Sequence, residues 1–153
     1  MHFIRKLKEM LDKSGREYEL IYHERPLRSA EEGAEYFHIP IGQTAPTLVL
    51  ESSRGLMALV ISGGKGKTNL QKIASVLDLD EVRLASPGKV LKETGFQVGS
   101  IPLVGLDLPF ILDSKIFEFP FIYGGAGVNG WTLKIVPKAL EELNRVEMLI
   151  ELG

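Results

Sequence analysis

The spacing of apolar positions at the start of the chain predicts one helix followed by one strand. Between residues 3 and 14, apolar side chains recur every three or four positions, as on one face of an amphipathic helix. Gly15 follows directly and is a typical helix stop. Residues 17–22 are rich in aromatic and branched side chains and predict a strand, which the turn at residues 23–26 ends.

The next stretch predicts a short helix and a β-hairpin. Ser29 with Glu32 forms a capping box, and the helix that it opens should end at residues 38–40, where we expect His38 to make a C-terminal cap interaction. Two apolar strands, 47–51 and 56–61, flank a four-residue turn that ends in glycine. The sequence therefore predicts a hairpin.

Capping residues predict the elements in the middle of the chain. Asn69 is placed to cap a helix over residues 70–77, and a short strand over 81–85 follows. Ser86 and Pro87 are suited to the cap and first turn of a helix that runs to Thr94. The connection after this helix is more apolar than a free surface loop, so we expect it to be packed against the protein.

Near the end of the chain, two strand-like segments flank a glycine-rich stretch. Residues 111–122 are apolar and β-prone, and residues 131–136 alternate large and polar side chains. Pro137 opens a final helix whose apolar face should carry Ala139, Leu140, Leu143 and Val146. The order of elements predicts an α/β chain of the α+β type, folded as one compact domain over residues 1–153.

The glycine-rich stretch, residues 123–130, contains more glycine than a hairpin loop needs. A loop requires one or two glycines for its positive-φ positions, whereas four occur here within seven residues. The surplus indicates that another group approaches the backbone closely, and exposed amides in such a loop can hold a phosphate or a developing oxyanion. The alternative is a long flexible hairpin.

A second loop, residues 62–68, combines glycine with Lys65 and Lys67. The sequence Gly66-Lys67-Thr68 is similar to the end of a phosphate-binding P-loop, but the upstream glycine of that motif is absent, so we exclude nucleotide hydrolysis. The two lysines are either solvated charges or contacts to a phosphate backbone.

The composition limits the classes of partner and cofactor that we expect. The chain has 153 residues, no cysteine, three scattered histidines and a net charge of −2. Disulfides and thiolate sites are thereby excluded, and we expect no metal, no cofactor and no DNA partner. No apolar run is long enough for a membrane helix and the start lacks a secretion signal, so we expect no membrane partner and a cytoplasmic location.

Two stretches, LASPGKVLKETGFQVGSIPLVGL and YGGAGVNGWTLKIVPKAL, together with the order of the elements, resemble the YbaK family. Members of that family are aminoacyl-tRNA deacylases related to the editing insertion of bacterial prolyl-tRNA synthetases. The resemblance covers nearly the whole chain. It implies a mixed, largely antiparallel curved sheet flanked by helices, and hydrolysis of the ester of a wrongly charged tRNA, most often alanine or cysteine on the proline tRNA.

The resemblance also implies a site. The backbone amides of four residues would stabilise the oxyanion of the tetrahedral intermediate: Gly124, Gly125, Ala126 and Gly127. The substrate, the 3′ acceptor end of an aminoacyl-tRNA, would contact Tyr22, Pro46, Thr47, Lys65, Lys67, Gly99, Ser100, Ile101, Pro102 and Thr132. An aminoacyl-tRNA synthetase is an implied partner.

Three positions depart from the family pattern. Pro46 stands where family members carry a lysine, Thr132 stands where they carry an acidic residue, and Leu103 replaces the second proline of the loop that starts at Gly99. Proline has neither charge nor N–H and cannot hold a phosphate as lysine does. Three interpretations follow: an active deacylase with a rearranged site, a noncatalytic binding protein, or a scaffold domain.

Each of three aromatic or imidazole side chains near the implied site has two possible interpretations. Tyr22 is either an active-site residue or part of the core. His23 belongs to a surface turn in the preferred interpretation, and the alternative is a general base, since histidine can exchange protons near neutral pH. Trp131 is expected in the core, with a platform for the terminal adenine as the alternative.

Overall fold

The computed structural model describes residues 2–64 and 67–152. Five α-helices occur in these ranges: α1 (His2–Ser14), α2 (Ala30–Phe37), α3 (Leu70–Val76), α4 (Pro87–Thr94) and α5 (Lys138–Leu143). The strands there are β1 (Tyr18–Tyr22), β2 (Thr44–Ala45), β3 (Thr47–Ser52), β4 (Gly55–Val60), β5 (Val82–Leu84), β6 (Pro109–Asp113), β7 (Ile122–Gly125), β8 (Trp131–Ile135) and β9 (Arg145–Ile150). Two short 3₁₀ helices cover Ile41–Gln43 and Ser114–Glu118.

The strands form two mixed sheets, whereas the sequence resemblance implied one. The first sheet has the order β1-β8-β7-β2, and its β7–β2 pair is parallel. The second has the order β5-β3-β4-β6-β9, with β4–β6 and β6–β9 parallel. The predicted α+β class with antiparallel and parallel pairing is confirmed.

The chain passes from one sheet to the other at Pro46. Ala45 ends β2 in the first sheet and Thr47 begins β3 in the second. Proline suits this point because it has no N–H to donate to a ladder. Its carbonyl still accepts a hydrogen bond from the Ile61 amide at 3.0 Å.

Strand β4 explains how the second sheet is buried. Its residues from Leu56 to Val60 are all buried, since both faces of the sheet are covered. Ala58 and Val60 face the larger cluster, which includes α1 and the first sheet, while Met57 and Leu59 face a smaller cluster with Ile73 of α3. An unbroken apolar run is the expected sequence of such a strand.

Capping explains most of the helix boundaries. Ser29, Asn69 and Ser86 each accept a hydrogen bond from the backbone N–H three residues later, as predicted. His38 takes the left-handed conformation with φ 55° and its amide reaches the carbonyls at the end of α2, so its predicted capping role is confirmed. None of the helices in the two described ranges is long and apolar enough to cross a membrane.

Three predicted boundaries are wrong. Residues 111–122 do not form one strand, because β6 ends at Asp113, whose buried side chain accepts from the Lys115 amide and starts a 3₁₀ helix. Gly124 and Gly125 belong to strand β7 and not to a loop. The final helix ends at Leu143, and Val146 lies in β9, where alternating burial replaces the helical period.

Candidate functional site

A cavity of about 240 Å³ opens beside the point where the chain changes sheets. It lies between the segment that leads into α2, the start of β3, the loop around Gly99 and the connection from β7 to β8. Its lining residues are His23, Pro26, Leu27, Arg28, Ser29, Ala30, Gly33, Phe37, Thr44, Ala45, Pro46, Thr47, Leu48, Val98, Gly99, Ser100, Ile101, Tyr123, Gly124, Gly125, Val128, Asn129, Gly130, Trp131 and Thr132.

The structure brings most of the predicted site residues to this cavity. Those that line it are Pro46, Thr47, Gly99, Ser100, Ile101, Gly124, Gly125 and Thr132. Those that do not are Tyr22, Lys67, Pro102, Ala126 and Gly127. Lys65 lies outside the described residues. Segments distant in sequence therefore converge on one place, as the resemblance implied.

Close packing of the backbone accounts for the paired glycines of β7. A Cβ at Gly125 would stand 1.9 Å from the carbonyl oxygen of Ile101, and one at Gly124 would stand 2.7 Å from the carbonyl oxygen of Ala45. The Leu103 amide donates to the carbonyl of Gly125 at 3.0 Å, which holds the loop against the strand. The surplus glycine thus lets the Gly99 loop approach and form one wall of the cavity.

The first two residues after β7, Ala126 and Gly127, do not line the cavity and pack against the core. Ala126 is fully buried. Gly127 has φ +89°, and a Cβ there would meet the Phe3 ring at 2.6 Å, so glycine is needed for conformation and for space. These two positions support the shape of the connection between β7 and β8.

His23 and Thr132 form a buried hydrogen-bonded pair within the lining. His23 is 4% exposed and Thr132 is 9% exposed. The imidazole Nε2 lies 2.9 Å from Thr132 Oγ1, and Nδ1 lies 2.6 Å from the Arg25 carbonyl oxygen. The preferred prediction that His23 is a surface turn residue is wrong, because Tyr36 and Phe37 of α2 pack against the ring and the imidazole bonds to Thr132 of β8.

A polar side chain in the lining has no partner. Thr47 Oγ1 is buried and, within the described residues, makes no hydrogen bond. A buried hydroxyl without a partner costs about 1–3 kcal/mol. The neighbouring Thr44 shows the usual arrangement, since its hydroxyl donates to the Ile41 carbonyl at 2.6 Å. Thr47 thus places a buried hydroxyl without a protein partner in a residue of the cavity lining.

The described residues that line the cavity carry one permanent charge, and it is positive. No aspartate, glutamate or lysine is among the described residues that line the cavity, and the guanidinium of Arg28 is the permanent charge there. Our sequence reasoning missed Arg28. Its position directly before the capping box was the available signal, because that turn carries two arginines, Arg25 and Arg28.

An aromatic pair stands at the edge of the cavity. Tyr22 is 62% exposed, and its ring packs edge-on against Trp131 with centroids 5.4 Å apart. The core interpretation of Tyr22 is wrong, while Trp131 both packs on the core and lines the cavity. Tyr22 is therefore an exposed ring next to Trp131, which lines the cavity.

Metal binding has no geometric basis in the part of the chain that the structure describes. No group of three histidine or carboxylate residues lies close enough there to hold an ion. The polar groups of the lining include backbone, hydroxyl groups, one imidazole, the Arg28 guanidinium and the Asn129 carboxamide.

Known proteins that resemble the chain share its fold and much of its length. A crystal structure of a candidate trans-editing enzyme for prolyl tRNA synthetase superposes with a TM-score of 0.85 at 25% identity, covering 99% of this chain and 96% of that one. The uncharacterized protein YwhH of Bacillus subtilis is 23% identical over 138 residues, which are 89% of this chain and 87% of YwhH.

A proline–tRNA ligase of Thermosipho melanesiensis is 25% identical over 123 residues, or 79% of this chain. The chain spans only 22% of that ligase. The sequence profile of the aminoacyl-tRNA editing domain matches residues 24–143, which include all of the cavity-lining segments except His23. The resemblance drawn from the sequence is confirmed, and the chain belongs to the aminoacyl-tRNA editing domain family.

Proposed function

We propose that this protein is a trans-acting deacylase that hydrolyses the ester of mischarged aminoacyl-tRNA. The family and the structural neighbour named for trans-editing support this proposal. The substrate would be the 3′ acceptor end, and prolyl-tRNA synthetase would be the enzyme whose errors are corrected. Hydrolysis of an ester by water needs neither a metal nor a cofactor.

The observation that carries the proposal is the unpartnered Thr47 hydroxyl in a cavity of small volume. About 240 Å³ is below the roughly 300–1,000 Å³ of pockets for drug-sized ligands, so the cavity suits a small group such as an aminoacyl moiety. The hydroxyl, which has no partner within the described residues, would form a hydrogen bond with that group. The apolar remainder of the lining would select the amino acid by size.

Backbone amides supply the oxyanion stabilisation in this mechanism. Gly124 and Gly125, the donors proposed from the sequence, line the cavity, but they belong to the inner strand β7, whose backbone pairs with β8 on one side and β2 on the other. Ala126 and Gly127 keep the end of that strand in place. Gly99 and Ile101 also line the cavity, and the amide of neither has a hydrogen-bond partner within the described residues, so these two amides are the donors that we propose for the oxyanion. Each donor correctly placed on an oxyanion lowers the activation free energy by about 3 kcal/mol.

Positive side chains near the opening would position the tRNA. We assign Arg28 to a phosphate near the 3′ end, in place of the lysine that Pro46 replaces. Lys67, and Lys65 outside the described residues, would contact the backbone further along. Tyr22 with Trp131 would stack on the terminal base, which is worth about 1–3 kcal/mol. Phosphate contacts of this kind orient the substrate without reading its sequence.

A noncatalytic binding protein is the second candidate, and the position of Pro46 favours it. Pro46 lines the cavity, so the family lysine is missing from the site itself. If that lysine is indispensable to the reaction, the cavity would still bind an aminoacyl group without hydrolysing it.

The test measures release of amino acid from a panel of mischarged tRNAs, including alanyl- and cysteinyl-tRNA for proline, at catalytic amounts of protein. Correctly charged prolyl-tRNA is the matched control. We expect turnover on at least one mischarged tRNA and none on the control. Binding without turnover across the panel would favour the noncatalytic candidate, and neither binding nor turnover would leave the scaffold interpretation.

A further inference from the structure

The hydrogen bonds of His23 define which of its nitrogens carries hydrogen. The Arg25 carbonyl, 2.6 Å from Nδ1, can only accept, so Nδ1 carries a proton and donates. In the neutral imidazole, Nε2 is then an acceptor, and the hydroxyl of Thr132 at 2.9 Å is the donor. The Thr132 oxygen keeps its lone pairs for other partners.

Neighbouring groups hold the pair in this geometry. The His23 amide donates to the Gly130 carbonyl at 2.8 Å, directly before β8 begins. The imidazole ring lies against Tyr36 and Phe37, with centroid distances of 5.7 and 6.4 Å. A histidine oriented by one partner and bonded to a hydroxyl by the other is the arrangement that activates oxygen nucleophiles in hydrolases.

The composition of the described lining makes His23 the candidate proton acceptor. The described residues of the cavity include no carboxylate and no lysine, and neither threonine nor serine hydroxyls accept a proton near neutral pH. His23 is the lining side chain with that ability. It lies beside Thr132, the position where the family resemblance leads one to expect an acidic residue.

We propose that His23 is the general base of the hydrolysis and that the Thr132 hydroxyl relays the proton to it. This inference rests on the proposed function and names the side chains that perform it. Thr132 contacts the attacking water through its lone pairs, and His23 acts through Thr132.

The relay balances over one turnover. The water oxygen forms a bond to the ester carbonyl carbon while one water proton moves to Thr132 Oγ1 and the Thr132 proton moves to His23 Nε2. The carbonyl electron pair moves to its oxygen. On collapse, the bond from that carbon to the ribose oxygen breaks, and the proton returns through Thr132 to the ribose oxygen. The products are the amino acid and uncharged tRNA, and His23 is neutral again.

The experiment compares three variants in single-turnover hydrolysis of the tRNA that the wild type deacylates. T132V keeps the shape but loses the hydroxyl, T132S keeps the hydroxyl, and H23A leaves space for added imidazole. General acid–base catalysis contributes about 10²–10⁴-fold, so we expect losses of that size for T132V and H23A, with T132S within about tenfold of wild type. Binding of a non-hydrolysable 3′-aminoacylamino-adenosine should change by only a few-fold in all three.

Chemical rescue separates a proton acceptor from a structural residue. We expect imidazoles to restore H23A, with rates that rise with the basicity of the imidazole used. Rescue that is independent of basicity would overturn the proposal, as would wild-type turnover in T132V or H23A. An aminoacyl group trapped on Thr132 would also overturn it, since the threonine would then be the nucleophile.

The same experiment distinguishes the two levels of inference. If the wild type hydrolyses the substrate and the variants do so at the same rate, the relay is overturned and the deacylase function stands. Absence of wild-type turnover on every mischarged tRNA would overturn both, because there would be no reaction for His23 to assist.

Discussion

Replacing Gly125 by alanine tests whether the glycine-rich strand exists to seat the Gly99 loop. The added Cβ would lie 1.9 Å from the Ile101 carbonyl oxygen, where ordinary contacts begin at 3.4 Å. The loop must therefore retreat by about 1.5 Å. That shift would lengthen the hydrogen bond from the Leu103 amide to the Gly125 carbonyl, now 3.0 Å.

The magnitude follows from two effects. Forcing one methyl group into a close-packed contact costs about 1–3 kcal/mol, and a lost backbone hydrogen bond costs about 1 kcal/mol. We expect G125A to lower the free energy of unfolding by about 2–4 kcal/mol. Because the loop is one wall of the cavity, we also expect weaker binding of a 3′-aminoacylamino-adenosine.

Urea unfolding followed by fluorescence of Trp131 measures the stability, and the slope of the transition should be unchanged. Gly88 is the matched control, because a Cβ there meets nothing within 4 Å. Alanine at a helical position of this kind is worth about 0.5–1 kcal/mol over glycine, so G88A should be as stable as wild type or slightly more so. A G125A protein as stable as wild type would refute the packing argument.

Three further predictions concern single side chains. T47V removes an unpartnered buried hydroxyl, so it should raise the free energy of unfolding by about 1 kcal/mol and weaken ligand binding. T44V breaks a hydrogen bond to the Ile41 carbonyl, so it should lower the free energy of unfolding by about 1 kcal/mol. Equal effects of the two variants in urea unfolding would contradict this reasoning. The hydrogen bond from Lys89 lowers the pKa of Glu51, so the carboxylate stabilises the fold above the ordinary glutamate value of about 4.3 and this contribution is lost as the pH falls through the lowered pKa. The stability advantage of wild type over E51Q should therefore shrink in acid, and a gap that grows would be the wrong sign. P46K should raise the rate of deacylation, because it returns a cation to the cavity. It should also lower the free energy of unfolding by about 0.4–1 kcal/mol, because the unfolded chain is more flexible without the proline. An unchanged rate in the deacylation assay would show that this site does not use a lysine at position 46.

Local signals predicted most of the helices and strands. Ser29, Asn69 and Ser86 cap the helices that the sequence assigned to them, because an N-cap depends only on a side chain and the three residues after it. Boundaries failed where a buried contact decided them. Asp113 ends β6 by accepting hydrogen bonds from the amides of Ser62 and Lys115, and Ser62 is 51 residues away.

The glycine-rich stretch shows the limit of pattern reasoning most clearly. Its surplus of glycine correctly indicated a close approach to the backbone, and part of that approach is made by the protein's own Ile101 and Leu103. A sequence states that space is needed at a position, but it does not state which segment takes that space.

The sequence by itself determined the family, the α+β class, the capped helices and eight of the residues that meet in the cavity, because these depend on motifs and on short-range periodicity. Only the tertiary structure decided that there are two sheets joined at Pro46, that Thr47 has no partner, and that His23 is buried against Thr132 across 109 residues of chain. Those features arise from strand pairing between distant segments, and the register of β1 on β8, which places Tyr22 opposite Trp131, brings the imidazole to the hydroxyl.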